Sequence, residues 1–235
     1  MRASLARRIV AEFLGTGLLV ATVIGSGIMG ERLAGGNAAI ALLANTIATG
    51  AALVALILAF GPISGAHFNP VVTAADAMEG GIPRREAPAY VCGQVLGGAA
   101  GAVAANLMFE LPIVSISQRA RGGGGQLLSE FIATFGLLSV IWGCSRLRSS
   151  ATAFAVGAYI TAAYWFTAST SFANPAVTIA RALSDTFAGI RPRDVPGFLA
   201  AQVAGGAAAT LLFRWMVPAL SGAAKDVVVP HKGQS

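Results

Sequence analysis

The chain has 235 residues, of which 55% are hydrophobic and only 11% are charged, and its formal net charge is +6 at pH 7. A soluble domain carries about twice that charged fraction, so the composition excludes an ordinary soluble protein and indicates a chain largely buried in lipid. The basic residues are scattered and form no face interleaved with aromatics, which argues against nucleic acid as a partner.

Six long apolar segments follow one another along the chain. Most of them reach the ~17–20 residues with which an α-helix crosses a bilayer, and glycine- and proline-containing linkers separate them. We therefore predict an all-α membrane protein with six transmembrane helices, surrounded by the lipid bilayer. The segments are approximately Ile9–Ile28, Ala38–Phe60, Ala87–Phe109, Leu127–Gly143, Ala151–Ala168 and Pro196–Pro218.

A short motif follows the second span and recurs after the fifth: Asn69-Pro70-Val71 is repeated as Asn174-Pro175-Ala176. Asparagine caps the first amides of a helix, and proline at the first helical position has no N–H to lose, so each motif predicts a helix start. Gly80-Gly81 and Gly189 predict the helix ends. Each helix would then have about two to three turns, roughly 15 Å, which is half of a ~30 Å hydrocarbon core.

The longer segments repeat as well. Residues 10–16, VAEFLGT, resemble residues 128–134, LSEFIAT, and residues 90–98, YVCGQVLGG, resemble residues 198–206, FLAAQVAGG. Each half therefore has three full spans and one half-length helix, and an odd number of spans requires the second half to be inverted in the membrane. Half-helices at matching positions of an inverted repeat point to a substrate path. We expect a single transmembrane channel domain over 1–235, with repeat halves of roughly 1–118 and 119–235.

The two asparagines are the strongest candidates for contact with a solute. Asn69 and Asn174 would hold two helix N-termini, each worth about +0.5 charge, near the middle of the membrane. Their carboxamides keep N–H donors for a passing solute, and the extended segments before them leave carbonyl acceptors that are tolerated at this depth only beside a cavity or inside the protein. Such a path suits hydroxylated or aqueous solutes, and converging helix N-termini repel cations and protons.

Glu12 and Glu130 lie inside the first and fourth spans, where a carboxylate is a candidate proton relay or ion ligand. Because they are duplicated, and neither has a second carboxylate or lysine in its span, we favour a scaffold role in which each accepts hydrogen bonds from the loop before a half-helix. Gln94 and Gln202 are repeat mates with the same interpretation. For His67 we expect a neutral, hydrogen-bonded ring, with a pH-sensitive gate as the alternative.

No enzyme motif stands out in this sequence. It contains no His/Cys/Glu cluster with metal-ligand spacing, no nucleophile elbow and no glycine-rich phosphate loop between a strand and a helix. The two cysteines, Cys92 and Cys144, lie in apolar segments and are interpreted as packed thiols. We therefore expect no catalytic residues and no metal site.

The basic residues favour one orientation. With a cytoplasmic N-terminus, ten of the sixteen Lys and Arg residues lie inside and six outside, in agreement with the positive-inside rule. We therefore expect a multi-pass protein of the inner or plasma membrane with both termini cytoplasmic. The inside residues are Arg2, Arg7, Arg8, Arg84, Arg85, Arg146, Arg148, Arg214, Lys225 and Lys232, and the outside residues are Arg32, Arg119, Arg121, Arg181, Arg191 and Arg193.

Taken together, these residues resemble the aquaporin, or major intrinsic protein, family over nearly the whole chain. The resemblance rests on the duplicated halves, the six spans, Glu12 and Glu130, and the two Asn-Pro boxes, the first within the run 64–70, SGAHFNP. It implies a homotetramer with one pore per subunit, no cofactor, and passive flow of water or small neutral solutes such as glycerol. The chain is also similar to bacterial members associated with arsenic handling, whose solute is the neutral arsenous acid.

The chain departs from the family pattern in two ways, once within the first box and once directly after the second. The first ends in Val71 rather than alanine, at the middle of the pore. The second is followed by Val177, where the family usually has the arginine of its selectivity filter. Counting without gaps from the asparagines gives Thr49, Ala162 and Ser171 as the other filter positions, so the resemblance implies a filter that is wider and less polar than a water-selective one.

The function most consistent with this sequence is a passive channel for small uncharged solutes, namely polyols, metalloid hydroxides and water. An ion-coupled secondary transporter is the alternative, because such proteins also have inverted repeats and broken helices; a closed homologue with a structural role is a third possibility. A transporter would need an ionisable residue beside the half-helices, and Asp76 and Arg181 are the nearby candidates. Arg181, one turn beyond Val177, is either a vestibule charge that partly replaces the filter arginine or the surface partner of Asp185.

Overall fold

The computed structural model describes residues 3–147 and 149–217. Arg2, Arg148, Lys225 and Lys232, which entered the charge count, lie outside the described residues, as do the two ends of the expected domain. Within the described ranges every secondary-structure element is a helix. The α-helices are α1 Leu5–Leu33, α2 Ala38–Ser64, α3 Pro70–Glu79, α4 Ala87–Met108, α5 Gly124–Leu147, α6 Thr152–Phe166, α7 Pro175–Arg181 and α8 Val195–Met216.

Each of the six apolar segments is a helix. Five of them, α1, α2, α4, α5 and α8, are long and apolar enough to cross a membrane, and α6 is a shorter apolar helix of 15 residues. The remaining two helices, α3 and α7, have ten and seven residues and follow the two Asn-Pro motifs. The prediction of an all-α membrane fold with six apolar helices and two half-length ones is confirmed.

The two halves pack in the same way. Helix α1 packs against α4 and α2, and its repeat mate α5 packs against α8 and α6. Glycines allow the closest of these approaches: a side-chain carbon at Gly97 of α4 would fall on the carbonyl of Phe13, and one at Gly205 of α8 on the carbonyl of Phe131. Small residues at such crossings let helix backbones come into contact in lipid, where dispersion contacts rather than the hydrophobic effect hold helices together.

The half-helices begin where the Asn-Pro motifs predict. The Oδ1 atom of Asn69 accepts a hydrogen bond from the amide of Val71 at 2.9 Å. The Oδ1 atom of Asn174 accepts from the amides of Ala176 and Val177 at 3.0 and 3.3 Å. Capping of this kind is a local property of the chain, which is why the sequence alone predicts it.

The predicted end of α7 is wrong. The helix ends at Arg181 rather than continuing to Gly189. The loop between α4 and α5, residues 109–123, packs beside the segment that follows α7. Its Ser115 and Ser117 amides donate to the carbonyls of Leu183 and Ala182, both at 3.0 Å. These carbonyls therefore bond to the α4–α5 loop, and the backbone leaves the helical path. Helix α3 ends as expected, with Gly80 in the left-handed region at φ 86°.

Candidate functional site

A cavity runs between the long helices and reaches the N-terminal ends of both half-helices. Hydrocarbon side chains from α1, α2, α5 and α6 form most of its wall, together with Val72 of α3 and Val177 of α7. Polar groups reach it from α2, α6, α7 and the segments before the half-helices. These polar lining residues are Thr49, His67, Asn69, Tyr164, Ser171, Asn174 and Arg181.

The two asparagines bind each other's loops. Asn69 Nδ2 donates to the carbonyl of Ala173 at 2.7 Å, and Asn174 Nδ2 donates to the carbonyl of Phe68 at 2.7 Å. Each carboxamide therefore caps its own half-helix through its oxygen and holds the opposite half of the chain through one N–H. A carboxamide nitrogen carries two hydrogens, so each asparagine keeps one donor at the cavity wall.

Glu12 is fully buried and accepts four hydrogen bonds. Its Oε1 atom accepts from Ser64 Oγ at 2.6 Å and from the amide of His67 at 3.0 Å. Its Oε2 atom accepts from the amide of Phe68 and from Gln94 Nε2, both at 2.7 Å. This carboxylate thus organises the loop before α3.

Glu130 is equally buried and repeats the arrangement in the second half. Its Oε1 atom accepts from Ser169 Oγ at 2.5 Å and from the amide of Phe172 at 2.8 Å. Its Oε2 atom accepts from the amide of Ala173 at 2.9 Å and from Gln202 Nε2 at 2.6 Å. All four acceptor positions of a carboxylate are used, and no lone pair is directed into the cavity.

The loops that these carboxylates hold are strained. Ala66 and Phe68 before α3, and Ser171 and Ala173 before α7, have φ between 49° and 50°. Non-glycine residues avoid this left-handed region, at a cost of about 1–3 kcal/mol each. The conformation is retained because it turns successive amides toward a buried glutamate while the carbonyls of Phe68 and Ala173 meet the opposite asparagines.

His67 lines the cavity with both ring nitrogens in contact with polar neighbours. Its Nδ1 atom is 3.1 Å from Thr73 Oγ1, and its Nε2 atom is 3.5 Å from Asp76 Oδ2. The ring also packs 5.5 Å from that of Tyr90, centroid to centroid. Asp76 and His67 therefore form a buried pair within the first half.

Three of the four expected filter residues line the cavity, namely Thr49, Ser171 and Val177. The expectation for Ala162 is wrong, because this residue is on the exposed face of α6. Ile160 and Tyr164 of that helix line the cavity instead, and a residue two positions from each lies about 200° around the helix.

Tyr164 was missed by counting from the asparagine. Its hydroxyl lies 3.2 Å from Thr49 Oγ1, so one contact joins α6 to α2 at the cavity wall. The spacing of Val156, Ile160 and Tyr164, four residues apart along one helix face, is the signal that could have identified it.

The third residue of the first box does not line the cavity. Val71 points toward α8, where a side-chain carbon at Gly206 would overlap it, and Val72 lines the cavity in its place. The expectation that Val71 forms the middle of the path is therefore wrong, because the helix turns by about 100° between consecutive residues. Pro70, Pro175 and Ala176 likewise shape the half-helix starts without lining the cavity.

Arg181 is 2% exposed and lines the cavity. Its Nε atom donates to the carbonyl of Ala188, and its Cζ atom lies 3.3 Å from the centroid of the Phe172 ring. The alternative of a surface pair with Asp185 is wrong: Asp185 accepts a hydrogen bond from the amide of Gln118 at 2.9 Å, and Arg181 turns inward.

Comparison with known proteins agrees with this fold. The profile described as Major intrinsic protein matches residues 1–146 and again residues 143–235. The aquaglyceroporin AqpS of Rhizobium meliloti (strain 1021) is 54% identical over 213 residues, 91% of each chain. Aquaporin NIP1-3 of Oryza sativa subsp. japonica is 34% identical over 185 residues, 76% of this chain and 64% of the relative.

A solved structure has the same fold. The X-ray structure of the aquaglyceroporin from Plasmodium falciparum superimposes with a TM-score of 0.72 and covers 92% of this chain and 99% of its own. Its sequence is 17% identical, so the likeness concerns the fold alone.

Proposed function

Because this chain belongs to the major intrinsic protein family of multi-pass membrane channels, we propose that it conducts small uncharged solutes passively: polyols such as glycerol, metalloid hydroxides such as arsenous acid, and water. The observation that carries the proposal is the pair of asparagines, Asn69 and Asn174, each bonded to the loop before the other, in a cavity between apolar helices. We call them the crossed asparagines. Two capped helix N-termini and two remaining N–H donors meet there, which suits a neutral solute rich in acceptor oxygens.

The cavity wall also supports a neutral cargo. No aspartate or glutamate lines the cavity in the described structure, and most of the wall is hydrocarbon. A bare ion entering such a wall would lose more hydration than the few polar groups of the path replace, and the converging positive ends of α3 and α7 oppose cations and protons. A small neutral molecule keeps hydrogen bonds along the polar groups of the path and is not subject to this electrostatic cost.

The filter of this channel would be formed by Thr49, Tyr164, Ser171 and Val177, with Arg181 supplying the positive charge. Valine is shorter than the usual arginine and has no donors, so the ring gains width and loses its strongest water-ordering group. Arg181 restores one charge from a turn further along the chain, where its guanidinium stacks on Phe172.

The expected setting is a homotetramer in the inner or plasma membrane with cytoplasmic termini. The outer faces of the helices support burial in lipid and against other subunits, since Leu18, Ile47, Leu96 and Leu211 are each about half exposed in the single chain. In this orientation the α4–α5 loop and Arg181 lie on the extracellular side, and His67 lies on the cytoplasmic side.

The test is stopped-flow light scattering on proteoliposomes with water, glycerol, urea and arsenite. We expect flux that is linear in concentration, does not saturate and is independent of proton or sodium gradients. Empty liposomes give the background permeability. Saturable flux that follows an ion gradient would favour the secondary transporter instead.

A further inference from the structure

Two arginines share the ring of Phe172. The Cζ atom of Arg181 lies 3.3 Å from the ring centroid and that of Arg121, in the α4–α5 loop, lies 4.9 Å from it. The two guanidinium carbons are therefore no farther apart than the sum of these distances, about 8 Å. Arg121 is 8% exposed, and burial together with the charge of Arg181 lowers the pKa of its guanidinium well below the ordinary value. Bringing two buried cations together is unfavourable unless other contacts hold them.

Arg121 is held by carbonyls on both sides of α7. Its Nε atom donates to Gly189 O at 2.7 Å, its Nη1 atom to Ser169 O at 3.0 Å, and its Nη2 atom to Phe187 O at 3.3 Å. Ser169 precedes the half-helix, while Phe187 and Gly189 follow it. One guanidinium thus fixes the chain before α7 relative to the chain after it.

Arg181 depends on the same segment. Its Nε atom donates to the carbonyl of Ala188, the residue between the two whose carbonyls Arg121 holds. No carboxylate forms an ion pair with either guanidinium in the part of the chain that the structure describes. Asp194 accepts from the backbone amide of Arg121 at 2.8 Å and from the side chain of Arg191, not from the Arg121 guanidinium. Carbonyl dipoles and the Phe172 ring are what hold these charges.

The first repeat half shows that the frame does not require this arrangement. Counted from its asparagine, His67 is the counterpart of Phe172 and Asp76 the counterpart of Arg181, and these two residues are also in contact, 3.5 Å apart. The same positions therefore meet in both halves, but only the second half carries two stacked cations over the aromatic ring among the described residues.

We propose that Arg121 is a positioning residue for selectivity: its planar fork fixes segment 187–189 and the Phe172 ring, and thereby holds the Arg181 guanidinium in the cavity, where it narrows the path. The proposal rests on the channel function proposed above. Arg121 does not line the cavity itself, so it acts through Arg181.

The test compares glycerol and water permeability of proteoliposomes containing Arg121→Lys, Arg121→Met or wild-type protein. Lysine keeps the charge but cannot reproduce a rigid planar fork on three carbonyls, so both variants should raise the glycerol-to-water ratio several-fold. Arg32→Met is the matched control, because Arg32 is an exposed arginine that donates to a carbonyl and stacks on a ring, both of Phe109 and outside segment 187–189; it should keep the wild-type ratio. A wild-type ratio in Arg121→Lys, or a ratio that changes only in Arg121→Met, would overturn the proposal.

A double-mutant cycle separates positioning from a general structural effect. In an Arg181→Met background, Arg121→Lys should change the ratio no further, since the group it positions is already gone. If the two substitutions change the glycerol-to-water ratio independently, so that their effects multiply, the proposal is contradicted. Arg121→Lys is sufficient for this test even if Arg121→Met cannot be purified. If wild type conducts no glycerol at all, the channel function itself fails; if wild type conducts and the variants match it, only the role of Arg121 fails.

Discussion

The side chain of Asn174, at the cavity wall, makes two structural contacts and is also a candidate solute donor. The Asn174 oxygen caps α7, while its nitrogen bonds to Phe68 in the other half of the chain. This asparagine therefore caps a helix, bonds to the opposite half of the chain and is a candidate hydrogen-bond donor to the solute.

Asn174→Ala should reveal all three roles. It removes a cap worth about 1 kcal/mol and a buried bond to the Phe68 carbonyl, so the unfolding midpoint should fall, and solute flux should fall with it because a donor is lost. Asn37→Ala is the matched control: Asn37 caps α2 through Ala39 and Ile40 but is exposed and distant in sequence from both boxes. Its loss should lower stability modestly and leave flux unchanged. A correctly folded Asn174→Ala that conducts every solute at the wild-type rate would contradict the assignment.

Val177 should set the size limit of the path. Val177→Arg would add a long cation one helical turn before Arg181, on a similar face, and like charges at that spacing repel. Polyol and arsenite flux should fall several-fold, while water flux should fall less because water is smaller. Stopped-flow permeabilities check this, with protein insertion verified for both samples. Unchanged glycerol flux would place the constriction elsewhere, for which the Val72 region between the half-helices is the next candidate.

At the scale of the helix, the half-helices are held in place by the loops before them. Each loop contains residues in the left-handed region, and each depends on one buried glutamate with four donors. The asparagine caps determine the residue at which each half-helix begins, and the glutamates fix the loop that places that residue.

Glu130→Gln tests the scaffold role against a proton relay. A glutamine offers only one acceptor oxygen, so at least one of the buried amides of Phe172 and Ala173 or the Ser169 and Gln202 side chains loses its partner. Hydrogen bonds to charged groups are worth about 1.5–3 kcal/mol each, so the thermal unfolding midpoint should drop clearly. Flux through the surviving folded protein should remain independent of a pH gradient. Unchanged stability with altered gradient dependence would instead support a relay.

The sequence predicts well those features that depend on residues close together in the chain or on its internal repeat. The starts of α3 and α7 follow from an asparagine and a proline side by side, and the duplication of Glu12 and Glu130 indicates their shared surroundings. The end of α7 depends on Ser115 and Ser117, more than sixty residues away, and no local pattern contains that information. Counting without gaps from Asn174 gives Ala162 instead of Tyr164, and a shift of two positions along α6 reverses the direction of the side chain. The role of Arg121 cannot be predicted from the sequence for the same reason as the end of α7, since its contacts are with residues distant in sequence.

At the scale of the molecule, the two halves have a common frame and different chemistry. Helix pairs α1–α4 and α5–α8 cross at glycines in both halves, and both asparagines are bonded alike. The residues flanking them are not alike: His67 and Asp76 stand in one half, Phe172 and Arg181 in the other. The frame provides the path, and these flanking pairs make its two sides chemically distinct.

The helix crossings should be sensitive to a single methyl group. Gly205→Ala would place a carbon on the Phe131 carbonyl and separate α5 from α8, so overpacking should destabilise the protein by about 1–3 kcal/mol or more. Gly125→Ala is the matched control in α5, because nothing lies within 4 Å of the added carbon. There alanine should stabilise the protein by about 0.4–1 kcal/mol, because it restricts the unfolded chain at a position whose backbone conformation it can adopt. Thermal unfolding in detergent should show opposite signs for the two variants, and shifts of the same sign would contradict this account of the crossing.

The bond between Asn69 and the opposite loop can form only late in synthesis. Asn69 leaves the ribosome 104 residues before Ala173, the residue whose carbonyl it binds. At about 5–20 residues per second this is a wait of roughly 5–20 s. During that interval the first re-entrant segment has its cap but lacks its partner, so we expect it to stay accessible to water until the second half inserts. Thiol labelling of Phe68→Cys in stalled nascent chains, with Cys92 and Cys144 replaced by serine, should therefore be strong before residue 174 has emerged and weak afterwards.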